Sequence, residues 1–211
     1  MNTPAERLAT SLQQLPLVAI LRGLTPAEAP AIGQCLVSTG FVLLEVPLNS
    51  PQPLQSIAAL AAQHPDLLIG AGTVMGAPDV RNVQAAGGRL IISPHFDAEV
   101  VHEALRLGMA CMPGVATPSE AFAALKAGAH ALKLFPAEMI GPAVVKALRA
   151  VLPASVPLLP VGGVSPDSMA AYRQAGATGF GIGSALYKPG QSAADTAAAA
   201  HRFIQTWKSL P

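Results

Sequence analysis

Charge is scarce in this chain. Asp, Glu, Lys and Arg make up 12% of its 211 residues, and 13 basic groups against 12 acidic ones leave a net charge of +1. No block of like charge stands out. That removes the basic stripe of a nucleic-acid binder and the polybasic segment that docks on a membrane surface. Cysteine is scarcer still: Cys35 and Cys111 form neither a disulfide framework nor a metal-type cluster. The five histidines are scattered without metal-ligand spacing, so no metal is expected. No unbroken apolar run reaches the ~18–20 residues of a membrane span. The N-terminus carries Glu6 and Arg7 and no long apolar stretch, so no signal peptide is expected. These absences point to a reducing cytoplasm.

What the chain does have is apolar surface to bury, with 51% hydrophobic residues. That marks a globular protein rather than a disordered one. The length suits one domain with a substantial core, and no linker or shift in composition divides 1–211.

One pattern repeats along the chain. After an opening helix over 3–14, strands are predicted at 17–22, 41–48, 67–73, 89–94, 109–114, 131–135, 156–163 and 179–184, each followed by a helix. The helix starts are marked chemically. Thr25-Pro26-Ala27-Glu28 and Thr117-Pro118-Ser119-Glu120 place a capping hydroxyl, a Pro at the first helical position and a Glu at the third. Ser50-Pro51, Pro78-Asp79, Asp97 and Ser165-Pro166 open others. Alternation of this kind makes a parallel sheet with right-handed crossovers. Eight units predict a closed (β/α)8 barrel with an extra N-terminal helix. An open doubly wound sheet is the alternative, but it rarely needs eight evenly spaced units.

The candidate chemistry centres on Ala131-Leu132-Lys133-Leu134-Phe135-Pro136. In a strand, Lys133 shares a face with Ala131 and Phe135. Burial disfavours its cation and lowers its pKa, by up to ~3–5 pH units, and a neutral amine is a nucleophile. In a barrel, functional groups collect at the C-terminal strand ends. Those ends hold Arg22, Glu45, Thr73, Pro94, Lys133, Gly162-Gly163 and Gly183-Ser184. Alternation pairs Ile20 with Arg22, Leu43 with Glu45, and Ala71 with Thr73 on an inward face. A neutral Lys133 can condense with a ketone to a Schiff base, with Glu45 moving protons. The planar fork of Arg22 suits a substrate carboxylate and its charge helps keep Lys133 neutral. Thr73 can bind the same carboxylate. The glycine loops after strands seven and eight offer backbone N–H groups, and Ser184 a hydroxyl, to a phosphate.

Five stretches carry a resemblance: Val18 to Arg22, Leu44 to Pro51, Gly70 to Val74, Leu132 to Pro136, and Val161 to Val164. Taken in order over nearly the whole chain, they resemble the keto-deoxy-phosphogluconate/galactonate aldolases. The resemblance implies a class I aldolase on a (β/α)8 barrel, a homotrimer, with no metal or cofactor. It implies Schiff-base Lys133 and acid/base Glu45. Substrate contacts are implied at Arg22, Thr73, Pro94, Phe135 and Val161, and phosphate contacts at Gly162, Gly163, Gly183 and Ser184. Asn49 and Val161 stand where gluconate-type members read Arg and Thr, which places the chain on the galactonate-type side. The partners expected are a phosphorylated sugar acid, pyruvate and glyceraldehyde 3-phosphate. A gluconate-type or dual-specificity aldolase is the rival within the family, and a barrel that senses phosphosugars without cleaving them is the rival from another class. Lys133 with Glu45 argues against it, because a sensor needs neither.

Overall fold

The computed structural model describes residues 3–210. In chain order the elements are α1 (Pro4–Gln14), β1 (Leu17–Ile20), α2 (Ala29–Thr39), β2 (Leu43–Pro47), α3 (Pro53–Gln63), β3 (Leu68–Gly72), α4 (Ala77–Ala85), β4 (Leu90–Ile92) and α5 (Ala98–Arg106). They continue with β5 (Ala110–Met112), β6 (Gly114–Val115), α6 (Pro118–Lys126), β7 (Leu132–Leu134), α7 (Pro142–Val151), β8 (Leu158–Pro160), α8 (Pro166–Gln174), β9 (Phe180–Ile182) and α9 (Ala193–Ser209). The fold is α/β, with every strand pairing parallel.

Six strands form one sheet in the order β5-β4-β3-β2-β1-β9, and three form a second, β6-β7-β8. The extra strand arises at Pro113, which has no N–H to donate. The predicted strand over 109–114 is therefore split into β5 and β6. The Pro113 carbonyl still accepts from the Lys133 N–H at 3.0 Å. A single parallel bridge, Val161 with Gly181, joins the end of β8 to β9.

Strand residues alternate between two apolar clusters. Ala19, Leu44, Ile69, Ile91, Cys111, Leu132, Leu134 and Ile182 pack with helix residues such as Ile32, Leu36, Ile57 and Val80. Val18, Leu43, Leu68, Leu90, Ile92, Ala110, Met112 and Leu159 form a separate interior cluster, joined by Leu8 of α1. The opening helix is thus a plug at one end of the interior. Period-two alternation then fixes the remaining positions. Glu45, flanked by Leu44 and Val46, faces inward, as does Lys133 between Leu132 and Leu134.

Two helix starts differ from expectation. At Thr117 the capping box forms on both sides, Glu120 N–H to the Thr117 hydroxyl at 3.3 Å and Thr117 N–H to the Glu120 carboxylate at 2.8 Å. At Thr25 the same motif makes only a turn, and α2 begins at Ala29. The cause is Pro30. In a helix starting at Pro26 it would occupy the interior, where it loses the bond to the Pro26 carbonyl and its ring collides with that group. Likewise α3 opens at Pro53 rather than at Pro51, because Gln52 adopts a left-handed φ of 44°.

Candidate active site

Two ionisable groups lie inside the sheet. Lys133 is 5% exposed and Glu45 1%. Removing them from water disfavours both charged forms. Burial is the largest influence on Glu45 and pushes it up to about 7, against the pull of Lys133, Arg22 and the Gly72 backbone. Burial is also the largest influence on Lys133 and pushes it down; Glu45 opposes that and Arg22 adds to it. The Lys133 Nζ stands 4.7 Å from the centre of the Phe135 ring. One carboxylate oxygen of Glu45, Oε2, is buried with no hydrogen-bond partner among the described residues. An unsatisfied buried acceptor is costly, so this oxygen is placed for a donor from outside the chain or for its own proton.

The room for Glu45 comes from the next strand. A Cβ built on Gly72 would collide with the Glu45 carboxylate. This overturns one expected pairing. Gly70 and Gly72 take the inward positions of β3, whereas Ala71 packs toward the helices. Thr73 lies past the strand end at φ 58°, so alternation no longer governs it.

A cavity of about 690 Å³ opens beside the buried pair; Lys133 and Glu45 do not line it, and Phe135 is the residue that connects them to it. Its wall includes Arg22, Phe135, Val161, Gly162, Gly163, Gly183 and Ser184, seven of the eleven residues expected from the sequence. Phe135 ties it to the interior, because it lines the cavity and covers Lys133. Thr73 and Pro94, both half-buried, do not line this wall; Pro94 sits beside Gly114 of β6. Arg22 is exposed and donates from Nη1 to Asn49 Oδ1 at 2.8 Å. Gly162 and Gly163 have φ of 112° and 60°, a region that other residues enter at a cost. Gly183 is different: a Cβ there meets no atom within 4 Å.

Asn49, noted in the sequence for standing where gluconate-type members read Arg, aims Arg22. Two residues at this site escaped the sequence reading. Glu138 and Lys188 stand on the cavity wall. Glu138 lay just beyond the Lys-strand motif, in the Phe135-Pro136-Ala137-Glu138 run, and that adjacency was the available signal.

An amine held toward its neutral form, a carboxyl poised near neutrality, and a cavity rimmed by glycines and a serine form a recognisable set. The family model for KDPG and KHG aldolase matches residues 8–200 of the chain. The chain belongs to the KDPG and KHG aldolase family. It is 46% identical over 196 residues to the 2-dehydro-3-deoxy-6-phosphogalactonate aldolase of Escherichia coli (strain K12), covering 92% of this chain and 96% of that protein. It is 47% identical over 191 residues to a probable 2-dehydro-3-deoxy-6-phosphogalactonate aldolase of Rhizobium meliloti (strain 1021), with 90% of each covered. A solved structure described as native KDPGal superposes with a TM-score of 0.91 at 46% identity, over 92% of this family member and 95% of that chain. No helix among the described residues is long and apolar enough to cross a membrane.

Proposed function

We propose that the protein is a class I aldolase that cleaves 2-dehydro-3-deoxy-6-phosphogalactonate to pyruvate and D-glyceraldehyde 3-phosphate. The observation that carries this reading is Lys133, an amine held toward its neutral form in an apolar interior beside a cavity of substrate size. Its Nζ attacks the C2 ketone, water leaves, and a protonated imine forms. As the C4 hydroxyl gives its proton to Glu45, the C3–C4 bond breaks and its electron pair moves into the imine. The aldehyde departs and an enamine remains. Glu45 returns a proton to C3, and water releases pyruvate from Lys133. Arg22, steadied by Asn49, pairs with the substrate carboxylate, with Thr73 and Pro94 beside it. Phe135 and Val161 flank the carbon chain. Gly162, Gly163, Gly183 and Ser184 hold the phosphate.

In the same reading the strands close into one eight-stranded barrel and one domain. This is supported by the Val161–Gly181 bridge and by the succession of β5 and β6 across Pro113. The homotrimer rests on the family resemblance. A cytoplasmic location is supported by two free cysteines, Cys35 and Cys111.

The deciding experiment is turnover with both C4 epimers. Val161 is 6% exposed and can neither donate nor accept a hydrogen bond. The galactonate epimer is therefore cleaved well and the gluconate epimer more slowly. Val161→Thr moves the kcat/KM ratio toward the gluconate epimer by ~1–2 kcal/mol, the scale of one hydrogen bond. A wild type that favours the gluconate epimer, or a variant with an unmoved ratio, removes the epimer assignment.

Gly183 tests the phosphate end. Its Cβ space is open, so Gly183→Leu leaves the fold in place and fills the cavity instead. KM rises for phosphorylated substrates and much less for unphosphorylated ones. Equal losses for both would make Gly183 a structural residue.

A further inference from the structure

Glu138 is the one acid on the cavity wall, and the steps above do not use it. Its backbone is well anchored. The Ala137 N–H donates to the Val161 carbonyl at 2.8 Å, and the Ala137 carbonyl accepts from the buried Tyr172 hydroxyl at 2.7 Å. On its other side, the Met139 and Ile140 N–H groups donate to the Pro136 carbonyl at 3.0 and 3.1 Å. The side chain lies against the glycine loop: a Cβ built on Gly163 would stand 2.9 Å from Glu138 Cγ and 3.1 Å from Oε1. Neither carboxylate oxygen has a hydrogen-bond or ion-pair partner among the described residues.

A carboxylate accepts hydrogen bonds and cannot donate while ionised. Close to a bound phosphate it is repelled, so its place there needs a compensating donor. Arg22 and Lys188 on the same wall offset its charge without touching it. In the substrate, the carboxylate and phosphate are acceptors and the imine belongs to Lys133. Only the C4 and C5 hydroxyls donate, and C4 gives its proton to Glu45. The C5 hydroxyl is next to the phosphate-bearing carbon, and Glu138 is against the loop that receives the phosphate.

We propose that Glu138 accepts a hydrogen bond from the C5 hydroxyl and is a specificity-determining residue for the aldehyde half of the substrate. The inference rests on the aldolase reading, and the test separates the two. Condensation is measured in the synthetic direction, with pyruvate and either D-glyceraldehyde 3-phosphate or its deoxy analogue 3-oxopropyl phosphate, which lacks that hydroxyl. Glu138→Ala lowers kcat/KM for the hydroxylated aldehyde by roughly 10–100-fold, the scale of a hydrogen bond to a charged group. For the deoxy aldehyde, kcat/KM is unchanged or higher. Glu138→Gln, which keeps an acceptor oxygen, recovers part of the loss. A merely structural Glu138 would move both aldehydes together, so equal losses, or none, overturn the proposal. A wild type that condenses neither aldehyde removes the aldolase reading and this inference with it.

Discussion

Pyruvate and borohydride together leave one covalent adduct, on Lys133, and turnover stops. The reduction traps the imine as a secondary amine, so mass spectrometry reads the attachment site directly. Lys133 is buried and held toward its neutral form, whereas Lys126 and Lys146 are exposed on α6 and α7. An exposed ammonium is well solvated and is a poor nucleophile. Lys133→Ala removes both the adduct and the activity. An adduct on Lys126 or Lys146, or none at all, would sink the mechanism.

Glu45→Gln has the second largest effect. The variant keeps the shape of the side chain and loses its proton, and kcat falls by ~10²–10⁴-fold. Schiff-base formation survives. Glu45 is the influence that holds the Lys133 cation in place, so its loss leaves the amine more neutral. The wild-type pH profile has a limb near 7, set by the raised Glu45, and the variant lacks it. Stability moves the other way. The folded protein keeps the Glu45 proton up to about 7, whereas the unfolded chain loses it near 4.5. The folded state therefore binds more protons between those values, and the contribution of Glu45 to stability declines as pH rises through that window. Glu45→Gln melts higher than wild type at pH 8, and the gap narrows toward pH 5. Near-wild-type turnover in the variant would reassign the acid/base role.

The sequence made the repeat legible because each unit carries its own punctuation, and local chemistry sets most helix starts. It failed where two local rules compete. Thr25 and Thr117 carry the same motif, and only a proline five residues on separates their outcomes. Pro113 leaves the order of the elements intact and changes the count of strands. At the site, Lys133 and Glu45 were readable because alternation holds within β2 and β7. The inward pairing of Ala71 with Thr73 did not hold, because Ala71 packs toward the helices and Thr73 itself turns left-handed just past the end of β3. Glu138 was missed for a different reason: its adjacency to the Lys133 motif was visible, but not that the turn after β7 folds against the loop after β8.

Consider the glycines inside the sheet once more. The interior cluster fills the end of the sheet's interior nearest Leu8 with side chains. Toward the other end, the inward places on β3 and β9 are held by Gly72 and Gly181, which contribute no side chain. Packing stops there one tier short, and Gly181 lines the cavity that opens in its place. A ligand seated there would cover the top of the interior, so its binding and the stability of the fold are linked. Ligand at a hundred times its Kd would deepen the native state by about 2.7 kcal/mol. A cell that makes this sugar acid therefore tightens its own enzyme, and one that does not keeps it at its loosest and most readily degraded.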